Sequence, residues 1–422
     1  MKYSRHFLAV AAVVIAALFV VVGCDSPDPA PADTQAPAKT AEPTKATAPA
    51  ATAPAEAGEP TKAAAPAGGA TSKVAVKIGV TTPLSGEGKT FGESNKNGAE
   101  MAVEEANKAG KVQITTVVVD DKGDPTEGIN AVTKLINQDK VKAIVGSVAS
   151  NVTIPISEVA NNNKVVMITS TSTDEKVTVD GGKRKEYVFR ACFINSFQGL
   201  VMAKFASENL KAKTAAVVYD IGNDYTRGLA EVFKANFEKA GGKVVQFDSY
   251  GKNDVDFSAI LTKTVSLNPE VLFLPDYYNK TNLLARVARE KGVKAQLLGA
   301  DGWDYPELDT KAVEGGYFSN HYSPEDTRPE VQGWVKKYQE KYKAVPDTLA
   351  TLGYDATNLL INAIVTAGSD DPAKIKDAMA ATKGFKTVSG TLTFDKDGNP
   401  IKSAAIIQIK DGKQKFAAAV NP

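Results

Sequence analysis

The sequence predicts an α/β protein whose main body has two similar open lobes, each built on a parallel sheet. Short β-branched runs alternate with amphipathic helical stretches from about residue 73 onward, an order typical of parallel strands joined by crossover helices. The alternation passes through four strands, breaks in a polar stretch at residues 180–185, and continues with four more. A closed (β/α)₈ barrel is the alternative that this pattern leaves open.

The individual elements follow from residue spacing. Ala99, Val103 and Ala106 recur on one face of a helix, and Gly110 follows where that helix would end. The predicted strands are 74–80, 115–119, 143–147, 165–169, 214–219, 243–247, 271–274 and 296–299. Because ligands bind beyond the carboxyl ends of parallel strands, the loops that follow these runs are where we expect a site.

Residues 1–24 are predicted to be an export signal that ends at a lipidation site. A positively charged start precedes an apolar run at residues 7–22, which is short for a membrane span. The residues around Gly23-Cys24 resemble a bacterial lipoprotein box, in which a small residue precedes the cut and a thiol receives the lipid. We therefore expect Cys24 to be the lipidated N-terminus, and a single anchoring helix is the alternative.

Residues 25–72 are predicted to be a disordered tether. The segment is rich in Ala, Pro and Thr and contains no Val, Ile, Leu, Phe, Tyr or Trp. It therefore cannot bury enough apolar surface to offset the entropy of folding. Together with the lipid, it would hold an exported body on the periplasmic or cell-surface side of a membrane.

Charge and composition exclude several classes of function. With 50 Lys and Arg residues against 49 Asp and Glu residues, the chain has no basic excess, so nucleic-acid binding is not expected. Two cysteines and two histidines are too few for a Cys or His metal cage. Residues 83–90 match a phosphate-binding loop except at their first position, where Pro83 has no N–H. We therefore expect neither a metal nor any other cofactor.

Candidate catalytic groups are equally scarce. His321 is the one histidine of the body, and its polar neighbours predict a surface or connector residue. Cys192 lies between Ala191 and Phe193 and is predicted to be a small buried thiol rather than a nucleophile. The sequence thus predicts a protein that is not an enzyme, and an exported hydrolase is a less favoured alternative.

Polar side chains remain at the ends of the predicted strands. Ser150 follows the third strand, where its hydroxyl can cap a helix or, with exposed N–H groups, bind a carboxylate. Residues 170–174 form a second hydroxyl cluster after the fourth strand, which an ordinary turn would also explain. Three sets that pair an acid with an aromatic residue follow strands of the second half: 223–225, 276–278 and 301–303.

These two groups of side chains are complementary to a zwitterion if the two halves of the body face each other. Hydroxyl groups on one wall can bind the anionic group of a ligand. An acid with aromatic neighbours on the other wall can bind its cationic group and contact its apolar part. Each acid could instead cap a helix or a turn. Three such sets in equivalent positions favour a ligand site.

At these residues the chain resembles the type I periplasmic binding proteins, and among them the branched-chain amino-acid-binding (Leu/Ile/Val) lipoproteins that supply ABC importers. The resemblance covers about residues 74–409. Its most specific segments are Thr82-Pro83-Leu84-Ser85-Gly86, Asn97-Gly98-Ala99-Glu100, Asp120-Asp121 with Asp124-Pro125, Tyr225-Thr226-Arg227-Gly228, Asp256-Phe257-Ser258 and Gly299-Ala300-Asp301-Gly302-Trp303.

The resemblance implies two Rossmann-like lobes with parallel central sheets, joined by a three-stranded hinge that closes on the ligand. Lobe 1 would comprise residues 73–193 plus 321–390, and lobe 2 would comprise residues 194–320 plus 391–422.

The resemblance also implies how an amino acid is held. Ser150 and Thr173 would bind its α-carboxylate. Asp301 would bind its α-ammonium, helped by the Tyr225 hydroxyl and the backbone carbonyl of Ser172. The walls around its side chain would be Phe91, Tyr277 and, nearby, Trp303. Phe91 stands where relatives often have tryptophan, so the preferred side chain can differ from those of leucine, isoleucine and valine.

The function implied is a monomeric receptor that captures a branched-chain or other small apolar amino acid and presents it to the permease subunits of an ABC transporter. A lipoprotein that senses the ligand and reports to a membrane kinase or chemoreceptor is the alternative, since fold and pocket would be shared.

Overall fold

Two open sheets organise the folded body. The structure is a computed structural model that describes residues 73–421. The predicted signal, the lipidation site Cys24 and the predicted tether lie outside the described residues.

The first sheet is entirely parallel and has the order β2-β1-β3-β4-β7. Its strands are β1 (Val74–Thr82), β2 (Val112–Asp120), β3 (Ala143–Val145), β4 (Val166–Thr169) and β7 (Val188–Arg190). The helices between them are α1 (Lys89–Ala109), α2 (Pro125–Asn137) and α3 (Ser150–Asn162), and a small hairpin of β5 (Val179–Asp180) and β6 (Lys183–Arg184) precedes β7.

The second sheet has seven strands in the order β16-β15-β12-β11-β10-β8-β9, in which β15 runs antiparallel to both of its neighbours, β12 and β16. Its strands are β8 (Thr214–Asp220), β9 (Lys243–Tyr250), β10 (Val271–Phe273), β11 (Gln296–Gly299), β12 (Tyr317–Asn320), β15 (Ala404–Lys410) and β16 (Lys413–Val420). Its helices are α4 (Asn195–Lys204), α5 (Asp224–Lys239), α6 (Ser258–Leu267) and α7 (Tyr278–Glu290).

The segment between β12 and β15 returns to the first sheet. It contains α8 (Pro329–Tyr342), α9 (Thr348–Ala367), α10 (Pro372–Ala380) and a hairpin of β13 (Phe385–Thr387) and β14 (Gly390–Leu392). Leu359, Leu360 and Ile364 of α9 pack with Ile78 and Val145 in the core of the first sheet. The chain therefore passes between the sheets three times, after β7, after β12 and before β15.

The predicted fold class is confirmed, because parallel strands alternate with helices in two separate sheets. All eight predicted strands overlap observed ones, namely β1–β4 and β8–β11. The barrel alternative is wrong, since the described residues form two open sheets instead of one closed ring. The exact limits of the lobes stay a prediction. Leu392 and Phe394, which the prediction assigns to lobe 2, pack in the core of the first sheet.

Close packing of α1 against α9 depends on glycine. A Cβ atom on Gly98 would lie 1.9 Å from the carbonyl oxygen of Ala350, and one on Gly353 would lie 2.4 Å from that of Asn95. Backbone atoms of a packed helix cannot retreat as a flexible side chain can. The two helices can therefore approach this closely only where both lack side chains.

We expect Gly98→Ala to lower the free energy of unfolding by about 1–3 kcal/mol, because overpacking outweighs the better helix propensity of alanine. Gly333→Ala on α8 is the matched control, since no atom lies within 4 Å of a Cβ there, and it should stabilise by about 0.4–1 kcal/mol. Urea unfolding measures both changes. Stabilisation of the protein by Gly98→Ala would contradict the packing argument.

Candidate functional site

A cleft lies between the two sheets, at the carboxyl ends of β3, β4, β8, β10 and β11. Its inner part is a cavity of about 20 Å³, and its outer part is about 340 Å³. The two parts share Phe91, Val148 and Tyr277. The inner part is lined by Phe91, Val148, Ser150, Thr171, Tyr225, Tyr277, Asp301, Gly302, Thr348 and Leu349.

Asp301 is the acid of the inner cavity. It directly follows the loop after β11 and is 8% exposed. Its Oδ1 accepts hydrogen bonds from Tyr225 Oη at 2.7 Å and Gln198 Nε2 at 2.8 Å, and its Oδ2 lies 3.0 Å from His321 Nε2. Because two carboxylate oxygens can accept about four hydrogen bonds, the carboxylate keeps capacity for a donor from the cleft.

His321 contacts Asp301 as a neutral ring. Burial lowers the pKa of His321 to about 4, although the bond to Asp301 opposes this shift. The neutral imidazole therefore donates from Nε2 to the carboxylate. The ring also stacks on Phe193, with centroids 3.6 Å apart. His321 thus lies in the connector after β12, but it is buried, which corrects the expectation that it is a surface residue.

Tyr225 orders both the acid and the backbone beside it. Its hydroxyl donates to Asp301 and accepts from the backbone N–H of Gly302 at 3.0 Å. Burial raises the pKa of Tyr225, so the phenol keeps its proton. Its ring stacks on Tyr277 with centroids 5.0 Å apart. Asn223, and not the neighbouring acid, caps α5.

The three donors that hold Asp301 are all neutral. They are a phenol, an amide and an uncharged imidazole, and no Lys or Arg forms an ion pair with Asp301 within residues 73–421. A buried carboxylate without a cation is costly. The site therefore favours a ligand that brings a positive charge to Asp301.

The opposite wall is formed by the start of α3. Ser150 is the first residue of this helix, because the N-cap is Ala149, which provides no side-chain cap. The Ser150 hydroxyl accepts from Asp174 N at 3.3 Å, and the residue lines the inner cavity. The first N–H groups of an uncapped helix, together with a hydroxyl, form a suitable site for an anion.

Three predicted site residues do not line the cleft. The Ser172 carbonyl accepts from Arg190 Nη1 at 2.8 Å and Cys192 Sγ at 3.2 Å. Thr173 is fully buried, and its hydroxyl has no partner among the described residues. Trp303 is fully buried in the core of the second sheet and donates from Nε1 to Leu274 O at 3.0 Å.

Trp303, which we expected near the walls around the ligand side chain, does not line the cleft. A 3₁₀ turn at residues 301–303 directs Asp301 toward the cleft and leaves Trp303 under Gly299 and Gly316. Thr171, which comes from the predicted hydroxyl cluster, lines the cavity in place of Ser172 and Thr173.

Phe91 connects the two sides of the cleft. Its ring centroid lies 5.6 Å from that of Tyr277, 5.2 Å from that of Tyr278 and 5.1 Å from that of Tyr305. The inner cavity that these rings cover has room for about one water molecule. A molecule larger than water can therefore reach Asp301 only when the lobes separate or the aromatic side chains move.

Gln198 and His321 are the site residues that sequence patterns missed. Gln198 lies within α4 and so follows no strand end, whereas His321 directly follows β12, which is not among the predicted strands. A lone histidine beside an asparagine carries no pattern of its own.

Within residues 73–421, no helix combines the length and the apolar character needed to cross a bilayer.

Comparison with known proteins agrees with this architecture. A family model described as periplasmic binding protein matches residues 75–414. The Leu/Ile/Val-binding protein homolog 3 of Brucella melitensis is 36% identical over 348 residues, which are 80% of this chain and 92% of the relative. A Pseudomonas aeruginosa protein named for binding leucine, isoleucine, valine, threonine and alanine is 31% identical and covers 77% of this chain and 87% of its own.

Solved structures show the same fold. A leucine-binding protein from Thermotoga maritima has a TM-score of 0.78 at 38% identity and covers 82% of this chain and 99% of its own. A branched-chain amino acid transporter substrate-binding protein from Streptococcus pneumoniae, in complex with isoleucine, has a TM-score of 0.76 at 31% identity and covers 82% and 100% of the two chains. The chain therefore belongs to the periplasmic binding proteins, a family of exported receptors for solutes.

Proposed function

We propose that this protein is the substrate-binding receptor of an ABC importer and that its ligand is a branched-chain or other small apolar amino acid. The observation that carries the proposal is the buried Asp301 carboxylate, held by neutral donors and facing an anion-binding helix start. The names of the relatives support the same ligand class.

The α-ammonium of the ligand would bind Asp301. An ammonium group supplies both the missing positive charge and a donor for the remaining capacity of the carboxylate. Tyr225 donates to the same carboxylate and so keeps it oriented toward the cleft. Burial of this pair by lobe closure would strengthen the attraction, because the surrounding dielectric falls.

The α-carboxylate would bind Ser150 and the first N–H groups of α3. Ser150 lines the same inner cavity as Asp301 but lies at the start of α3, a helix that packs beside the first sheet. The two ends of one amino acid would then hold the two lobes together. Thr171 is the further hydroxyl available at this wall, since it also lines the cavity.

The ligand side chain would lie against Phe91, Val148 and Tyr277, which continue from the inner to the outer cavity. These surfaces are apolar and favour burial of an aliphatic group. The outer part provides space beyond them, so we propose that side chains longer than that of valine are accepted.

We further propose that the protein has no enzymatic activity, acts as a monomer, and is held at the membrane through a lipid on Cys24. The cysteine and the Ala/Pro/Thr-rich segment after it support the anchor. Permease subunits of the importer are the proposed partners.

We expect Asp301→Ala to weaken leucine binding by about 2–5 kcal/mol, because the ligand ammonium would be buried without its partner. Asp248→Ala is the control, since it removes an ion pair with Lys263 and a hydrogen bond from Gln246 at a residue that does not line the cleft, and it should leave affinity unchanged. Isothermal titration calorimetry measures both. Unchanged leucine affinity in Asp301→Ala would remove this residue from the site.

We expect Ser150→Ala to weaken leucine binding by about 1–3 kcal/mol, because a hydrogen bond to a charged group is lost. The same variant should bind leucinamide nearly as the unmodified protein does, because the amide has no carboxylate charge for Ser150 to bind. Comparing both proteins with both ligands isolates this contact in the same way as a double-mutant cycle. Equal losses for the two ligands would show that Ser150 does not bind the carboxylate.

A further inference from the structure

A second cavity, of about 450 Å³, lies at the hinge, away from the ligand cleft. Residues from two of the three crossovers line it: the connector after β12 and the segment that leads into β15. Its titratable and charged lining residues include His321, Asp326, Arg328 and Lys402, and Ser389 is one of several hydroxyl residues on the wall. It shares no lining residue with the cleft.

Lys402 is the central charged group of this cavity. The residue is 6% exposed, and its Nζ donates to Ser389 Oγ at 2.6 Å and to Ala191 O at 3.4 Å. No carboxylate lies within ion-pair distance of Nζ among residues 73–421. An ammonium has three donors, so Lys402 retains capacity for an acceptor in the cavity.

The acid that interacts with Lys402 through space is already engaged. The Asp355 carboxylate accepts from the backbone N–H groups of Val388 and Ser389, each at 2.9 Å. Ser389 is thus placed between Asp355 and Lys402. Burial lowers the pKa of Lys402 to about 8, partly offset by the charge of Asp355. Burial therefore destabilises the charged form of Lys402 even with Asp355 nearby.

Arg328 adds a second cation to the wall of the cavity. Its Nε donates to Asp326 Oδ2 at 2.7 Å and its Nη2 donates to Val388 O at 3.2 Å. These bonds fix the guanidinium beside the cavity. The lining residues of the wall thus include two cations and one carboxylate, Asp326, which is paired with Arg328. Glu330, outside the lining, also lies 3.7 Å from Arg328 Nη1, so Arg328 is well compensated and Lys402 is the cation without a contacting carboxylate.

We propose that the hinge cavity is a second ligand site, which binds a small anion with a carboxylate or phosphate group at Lys402 and thereby changes the affinity of the cleft for its amino acid. The anion would accept from Lys402 and supply the negative charge that the lysine lacks at contact distance. Charge-assisted bonds of this kind are the stronger ones in proteins.

The hinge cavity and the cleft are coupled through His321 and the first crossover, which connect the two. His321 lines the hinge cavity and donates to Asp301, and its ring stacks on Phe193 in the first crossover. Lys402 contacts Ala191 in the same crossover. An anion at Lys402 would therefore contact the chain segments whose rearrangement would open and close the lobes, and this coupling rests on the proposed function.

The test is direct binding of inorganic phosphate, and separately of acetate, to the purified protein by calorimetry, followed by leucine titrations with and without each anion. Sodium chloride at equal ionic strength controls for screening. We expect saturable binding of at least one anion and a change of about fivefold or more in the leucine Kd. If only one of the two anions binds, the result identifies whether the site prefers a phosphate or a carboxylate group.

Lys402→Met should abolish the anion response and leave leucine binding measurable. Lys336→Met is the control and should retain the anion response, because the Lys336 side chain on α8 is 78% exposed. Should Lys402→Met fail to fold, Arg328→Gln is the second variant and should weaken the anion at least severalfold. The proposal is overturned by the absence of saturable anion binding, by an equal response in Lys402→Met, or by chloride reproducing the effect. Anion binding without any change in leucine Kd would overturn the coupling but not the site.

Discussion

The uncompensated carboxylate of Asp301 is the constraint on which the rest of the site depends. A buried carboxylate is tolerated only when hydrogen bonds replace its hydration. Here the protein supplies three such bonds from groups with no charge of their own. This arrangement holds the acid in place but does not neutralise its negative charge. A positively charged group of a ligand can do so.

The same residues tie the site to the hinge. Tyr225 lies in the first turn of α5, Gln198 lies on the helix after the first crossover, and His321 follows β12 at the second crossover. Nearby, Asp304 accepts from the backbone N–H of Thr348 at 2.8 Å and from Gln414 Nε2 at 2.8 Å, and so joins the loop after β11 to the start of α9 and to β16. A change in the relative placement of these elements would therefore alter the surroundings of the acid.

Much of the fold, and part of the site, could be predicted from the sequence because parallel strands leave strong local signals. Asp301 and Tyr277 come directly after strand-like runs, and a strand end fixes where such residues lie. It does not fix where each side chain points. Trp303 is two residues from Asp301, but the 3₁₀ turn places its side chain in the core. The carbonyl of Ser172 likewise accepts a hydrogen bond from Arg190 instead of facing the cleft.

The narrow inner cavity has a kinetic consequence. With Phe91 against three tyrosines, the arrangement that grips a ligand is not the arrangement that admits one, so capture must pass through a more open form. Apparent affinity then depends on how often that form is visited as well as on the final contacts. Substitutions that loosen or tighten the aromatic closure would therefore change how long the receptor retains its ligand.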